Sequence, residues 1–159
     1  MSATPLQDLS ARIDARTARV GVIVLGYVGL PLAITFARAG FRVLGFDVDP
    51  QKVELINAGK SYINDVSDEE LSRAVEAGLL SATTDMKRLG EPDAISICVP
   101  TPLRKTRDPD MSFVTKAAEA VQQVLRDGQL VILESTTYPG TTEDLLAPLL
   151  TATGLVVGE

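Results

Sequence analysis

The chain has 159 residues, 45% of them hydrophobic but only 4% aromatic and none of them tryptophan, which suits one domain with an aliphatic core. A formal net charge of −6 with no dense basic stretch points away from nucleic acid as the main partner, and the absence of histidine removes histidine-based triads and metal sites. The single cysteine excludes an internal disulfide, no apolar run reaches the ~18 residues of a membrane span, and the N-terminus lacks the order of a secretory signal, so a cytoplasmic protein without membrane partners is expected.

Residues 1–17 read as a polar lead-in in which Leu6, Leu9 and Ile13 recur at helical spacing. Residues 18–159 read as one domain. From Arg19 onward, short β-branched runs alternate with longer helical patterns, the signature of a parallel sheet. The first strand is expected over 20–25 and the first domain helix over 30–39, with Pro31 in its first turn and Gly40 ending it. A strand over 41–47 follows, then a helix begun by Asp49-Pro50 and ended by Gly59. Ser67 and Glu70 predict a capping box for a helix over 68–77, stopped by Gly78. Strands over 80–83 and 94–99, a helix over 112–126 and a strand over 130–134 come next. A helix over 142–150 is expected with Thr141 as its cap, and 155–157 reads as the start of a sixth strand. Right-handed crossovers then favour an α/β, Rossmann-type doubly wound parallel sheet of order 3-2-1-4-5-6. Ligands of such sheets lie at the carboxyl ends of the strands, so the loops after strands 1, 2, 4 and 5 carry the candidate site.

The loop after strand 1 reads Val24-Leu25-Gly26-Tyr27-Val28-Gly29 and joins a strand to a helix, the context of a dinucleotide fingerprint. Gly26 would let the backbone approach a pyrophosphate, and Gly29 would let the helix pack close to the strands. The same glycines would also serve an ordinary turn. Val24 stands where the fingerprint has its first glycine, and a β-branched residue tolerates that tight turn poorly. Asp47 ends strand 2 about 20 positions after Gly26, the spacing of the carboxylate that binds the adenosine ribose. An acid there favours NAD, because a 2′-phosphate would be repelled. Asp49 is the better helix cap, which leaves Asp47 for a ligand. Lys52, one turn into the helix, is either a phosphate contact or solvated surface.

Two further loops are dense in proline and hydroxyls: Val99-Pro100-Thr101-Pro102 after strand 4, and Glu134 to Thr142 after strand 5. Thr101 and Thr136 are the expected ligand contacts. Cys98 lies within an apolar strand and reads as a buried structural thiol. Arg104, Lys105 and Arg107 read as an exposed loop, with a contact to a phosphate or to a further domain as the alternative, and Asp65, Asp68, Glu69 and Glu70 as a solvated helix start.

The stretches GYVGLPLA (Gly26 to Ala33), CVPTPL (Cys98 to Leu103), Pro109-Asp110 and ESTTYPGTT (Glu134 to Thr142) together resemble the UDP-glucose/GDP-mannose dehydrogenase family, in particular its branch acting on UDP-N-acetylhexosamines. The resemblance runs from about Arg19 to the last residue. It implies an oxidoreductase that converts the C6 alcohol of a UDP-sugar to a carboxylate in two hydride transfers to NAD+. It places Gly26, Tyr27, Val28 and Gly29 on the cofactor pyrophosphate, Asp47 on the ribose, Lys52 near the adenosine end, and Thr101 and Thr136 on the nicotinamide side. Thr136 also matches the threonine that helps place the catalytic water. The family's nucleophilic cysteine, its lysine and its sugar-binding domain are expected beyond position 159, so this chain by itself is expected to be inactive, and Cys98 and Glu159 do not match catalytic residues. The resemblance further implies that the whole enzyme is a homodimer or larger. A non-catalytic module that binds a partner is the alternative. A module of the β-hydroxyacid dehydrogenase type leaves the ESTTYPGTT loop unexplained.

Overall fold

Short aliphatic strands with both faces buried need helices on both sides, and the fold supplies them. The computed structural model describes residues 4–105 and 108–158; Arg107, Glu159 and the first three residues of the lead-in lie outside the described residues. Strands β1 (Arg19–Ile23), β2 (Arg42–Phe46), β3 (Leu80–Thr83), β4 (Ala94–Ile97) and β5 (Leu130–Leu133) form one parallel sheet in the order β3-β2-β1-β4-β5. Helices α1 (Pro5–Asp14), α2 (Gly29–Arg38), α3 (Pro50–Asn57), α4 (Asp68–Glu76), α5 (Ser112–Gln122) and α6 (Ala147–Thr151) are interspersed with the strands, α3 and α4 both between β2 and β3.

The two faces of the sheet carry separate cores, set by the alternation of side chains along each strand. Val20, Val22 and Val43 pack with Leu30 and Ile34 of α2, Ile56 of α3 and Leu71 of α4. Ile23, Leu44, Phe46, Ile95 and Ile97 pack with Val114, Ala118 and Val121 of α5. Each fully buried aliphatic side chain of this kind contributes roughly 1.5–3 kcal/mol. Among the described residues, no helix is long and apolar enough to cross a membrane.

The lead-in helix forms, with Thr4 and Gln7 closing a reciprocal capping box. It is anchored to the sheet by Arg12, whose Nη1 lies 2.8 Å from Asp93 Oδ1 at the start of β4. Arg126 Nη2 reaches the same oxygen at 2.7 Å, and the Arg19 N–H donates to Asp93 Oδ2 at 2.8 Å. One carboxylate therefore joins α1, β1 and the α5–β5 turn at the amino edge of the sheet.

Several expectations need correction. β1 stops at Ile23, because Val24 leaves the extended region. Ser67 caps α4 through the Glu70 N–H at 3.2 Å, but the Glu70 carboxylate does not complete the box; it pairs with Arg38 of α2 at 3.1 Å. Thr141 does not cap the last helix. Its hydroxyl donates to the Tyr138 carbonyl at 2.7 Å, and the helix opens with a π turn over Thr142–Leu146. Pro148 accounts for the wider turn: it has no N–H for the i−4 carbonyl of Asp144, and its ring crowds that carbonyl. The expected sixth strand is not formed by 155–157. Gly154 (φ +91°) and Gly158 (φ +87°) turn the chain on either side of it. Its apolar residues instead line a cavity of about 250 Å³ beside β5, together with Leu130, Leu146 and Leu150.

Candidate functional site

At the carboxyl end of β1, Val24 has φ +71°, the left-handed region that costs a β-branched residue about 1–3 kcal/mol. Glycine is the residue suited to that turn, as the fingerprint requires. The surroundings hold the turn from several directions. The Val24 N–H donates to the Phe46 carbonyl at 2.8 Å. The backbone of Leu25 is gripped on both sides of its Cα: its N–H donates to Asp47 Oδ2 at 2.9 Å, and its carbonyl accepts from the Tyr62 hydroxyl at 2.6 Å. The Val24 carbonyl points at Gly29, where a Cβ would collide with its oxygen and lie 3.0 Å from its carbon. Gly29 therefore has the close-packing role expected of it.

Above this turn the loop is open. A Cβ on Gly26 would meet only Val24 Cγ1, at 4.0 Å, and Tyr27 and Val28 project outward, 78% and 60% exposed. The N–H groups of Gly26, Tyr27 and Val28 have no partner among the described residues. Free N–H groups leading into the first turn of α2, with open space above them, are the arrangement that holds a phosphate diester. The residues present fit a dinucleotide.

Asp47 is only 3% exposed. Besides the Leu25 N–H, it accepts the Asp49 N–H on Oδ1 at 3.0 Å, and Lys52 Nζ stands 3.8 Å from Oδ2. The Asp49 side chain caps α3 through the Gln51 N–H at 2.9 Å, as the sequence predicts. Lys52 Nζ also lies 5.8 Å from the centre of the Tyr62 ring. Lys52 is thus a partner of the acid rather than free surface. Burial, together with the charges of Asp47 and Asp49, pushes the Tyr62 phenol above its ordinary range, so the hydroxyl remains a donor. Tyr62 was invisible to sequence reasoning: it sits in the α3–α4 connection, 37 positions from the residue it binds, with no periodic signal.

The loops after β4 and β5 rise at the same carboxyl edge of the sheet, β4 beside β1 and β5 beyond it. They are tied together by the Ser135 hydroxyl, which donates to the Val99 carbonyl at 2.8 Å. Thr101 is half-buried and Thr136 exposed, one on each of these loops. The β4–α5 loop folds back on itself, with Leu103 bridged to Pro109 and Arg104 Nη2 2.9 Å from Asp110 Oδ1. Arg104, with help from the Ser112 N–H, brings the Asp110 carboxyl down to about 2. Tyr138 from the β5 loop reaches across to Asp108 at 3.2 Å. Contacts thus join Gly29, Asp47, Lys52 and Tyr62 around one turn, while Thr101 and Thr136 belong to the neighbouring loop pair.

Residues 18–156 match the NAD binding domain of the UDP-glucose/GDP-mannose dehydrogenase family. The chain belongs to the UDP-glucose/GDP-mannose dehydrogenase family. It is 40% identical over 141 residues to the UDP-N-acetyl-D-mannosamine dehydrogenase of Pyrococcus horikoshii, covering 88% of this chain and 34% of that one. It is 38% identical over 132 residues to the UDP-N-acetyl-D-glucosamine 6-dehydrogenase of Salmonella typhi, covering 83% and 30%. The crystal structure of the NDP-N-acetyl-D-galactosaminuronic acid dehydrogenase from Methanosarcina mazei Go1 superposes with a TM-score of 0.85 at 34% identity, over 99% of this chain and 36% of that one. The chain spans about a third of the length of the curated relatives it matches. These relatives are dehydrogenases, which leaves the reading as a non-catalytic partner module without support. NAD is the cofactor of this domain of the family.

Within this NAD binding domain, Cys98 is 8% exposed, and its sulfur lies 3.6 Å from the Ser96 hydroxyl. Burial, with a smaller push from Glu134, raises the thiol above its ordinary value and outweighs Ser96. A buried, protonated thiol is a poor nucleophile, as the sequence predicts.

Proposed function

We propose that this chain holds NAD+ for the oxidation of the C6 alcohol of a UDP-N-acetylhexosamine to the uronate, in a protein whose sugar-binding and covalent chemistry is carried by other residues. Bound NAD+ supplies the hydride acceptor in each of two oxidation steps. The N–H groups of Gly26, Tyr27 and Val28 and the close approach at Gly29 receive the pyrophosphate. Asp47 takes the ribose hydroxyls, with Lys52 beside it at the adenosine end. Thr101 and Thr136 line the nicotinamide side, and Thr136 orients the water that enters the second step. The relatives' names support an N-acetylated UDP-sugar as substrate.

The observation that carries this reading is the seat of Asp47, a carboxylate under the glycine loop that still has lone pairs for ribose hydroxyls after accepting two backbone N–H groups. Its charge opposes a 2′-phosphate at the same place. Calorimetric titration with NAD+ and NADP+ tests it. NAD+ should bind, and NADP+ at least about tenfold more weakly, the ~1.4 kcal/mol expected of one unfavourable charge contact. Asp47→Asn should narrow that gap. Absence of heat at millimolar NAD+ would overturn the reading.

A further inference from the structure

Val24 is held in a left-handed turn that glycine adopts freely, and something must keep it there. The two peptides that flank Leu25, the next residue, are fixed by side chains from two other loops, Asp47 on the Leu25 N–H and Tyr62 on the Leu25 carbonyl. Tyr62 is itself rigidly placed. Ile63, the next residue, is buried in the core beneath α2, and Val66 beyond it is buried too. On the other side, the Ser61 N–H donates to Asp68 Oδ1 at 2.7 Å, and the Ser61 hydroxyl caps the short turn at Ile63. Gly59 is pinned by the Ser72 hydroxyl, which donates to its carbonyl at 3.0 Å. The phenol therefore reaches Leu25 from a fixed support.

We propose that Tyr62 is a positioning residue for the dinucleotide: with Asp47 it clamps the backbone of Leu25 on both sides of its Cα, and so holds the Val24 turn in the geometry that presents the free N–H groups of Gly26, Tyr27 and Val28 to the pyrophosphate. The proposal rests on the reading of this loop as the NAD+ site. Tyr62 bonds the loop at the Leu25 carbonyl, so its effect on binding is transmitted through the Val24 turn. A glycine at position 24 adopts the turn without help and makes the clamp dispensable. Lys52, over the Tyr62 ring and beside Asp47, couples the two halves of the clamp.

The test is a double-mutant cycle between Tyr62→Phe and Val24→Gly, reading NAD+ affinity by calorimetry at a temperature where circular dichroism shows each variant fully folded. Tyr62→Phe should weaken NAD+ binding about tenfold in the parent chain, the size expected for one short hydrogen bond. In the Val24→Gly background the same change should cost less than about threefold, because no strained turn remains to be held. A purely structural tyrosine would lower the melting temperature without moving the affinity of the folded protein. Equal affinity of Tyr62→Phe and parent overturns the proposal and leaves the NAD+ site standing. An equal loss in both backgrounds also overturns it, since the effect would then bypass Val24. A parent chain that binds no NAD+ overturns the functional reading and the proposal together. If Tyr62→Phe alone does not fold, recovery of folding and NAD+ binding in the double variant supports the clamp, and a double variant that stays unfolded overturns it.

Discussion

The carbonyl of Val24 fills the space in which a side chain on Gly29 would have to stand. The end of β1 and the start of α2 are thereby locked together, and the turn between them has one backbone solution. Gly29→Ala forces that carbonyl or the helix to move, and overpacking of this kind costs about 2–3 kcal/mol. Urea unfolding should show a loss of that size, with NAD+ binding lost as well. A variant within about 0.5 kcal/mol of the parent, the ordinary range of neutral surface changes, would contradict the close approach.

Val24→Gly should act in the opposite sense. It removes roughly 1–3 kcal/mol of left-handed strain and adds about 0.5–1 kcal/mol of glycine entropy, a gain near 1 kcal/mol that the loss of a half-buried side chain cuts to a few tenths. The urea midpoint should rise and the NAD+ dissociation constant fall. A lower midpoint would mean that the packing of the valine against Ile23 and its neighbours outweighs the strain in its backbone.

Acid should weaken the fold through Asp93. Burial opposes its charge, but the Arg19 N–H, Arg126 and Arg12 outweigh burial and hold the carboxyl below its ordinary value. In the unfolded chain the group takes up its proton near the ordinary value of about 3.9. The folded protein binds that proton only at lower pH. The stabilisation is therefore complete above the unfolded value and is lost as pH falls through the folded one. At neutral pH, Asp93→Asn should cost about 3 kcal/mol, because it leaves Arg12 and Arg126 without their shared anion. The gap between parent and variant should begin to narrow below about pH 4 and go on narrowing as pH falls further. A gap that stays constant from neutral pH to pH 3 would show that another carboxylate carries the acid sensitivity.

Cys98 should react with a chromogenic disulfide reagent at least about a hundredfold more slowly in the native protein than in denaturant, because attack requires the thiolate and an opening of the β4 end. Comparable rates in the two conditions would mean that this edge of the sheet is far looser than its packing implies.

The alternation of short aliphatic strands with helical stretches was legible in the chain, because sheet and helix periods are local properties of a few neighbouring residues. So were the Asp49 cap on α3, the glycine stops after α2, α3 and α4, and the placing of Gly26, Gly29, Asp47 and the two hydroxyl loops at one edge. Each depends on residues close in sequence, or on the rule that strand ends of a parallel sheet face the ligand. Other features were decided only in three dimensions. Arg12 and Arg126 converge on Asp93 from 81 and 33 positions away, and Tyr62 returns 37 positions to grip Leu25. Glu70 leaves its own helix for Arg38, Lys52 settles against Asp47, and the last helix opens as a π turn. A side chain that satisfies a distant backbone group or charge leaves no period in the sequence, because its partner is chosen by the path of the chain through space. The sequence alone therefore singled out the loop proposed as the dinucleotide site and marked Val24 as the unfavourable residue in its turn. The tertiary structure decided how that turn is held, since the groups that hold it come from separate loops that only folding brings together.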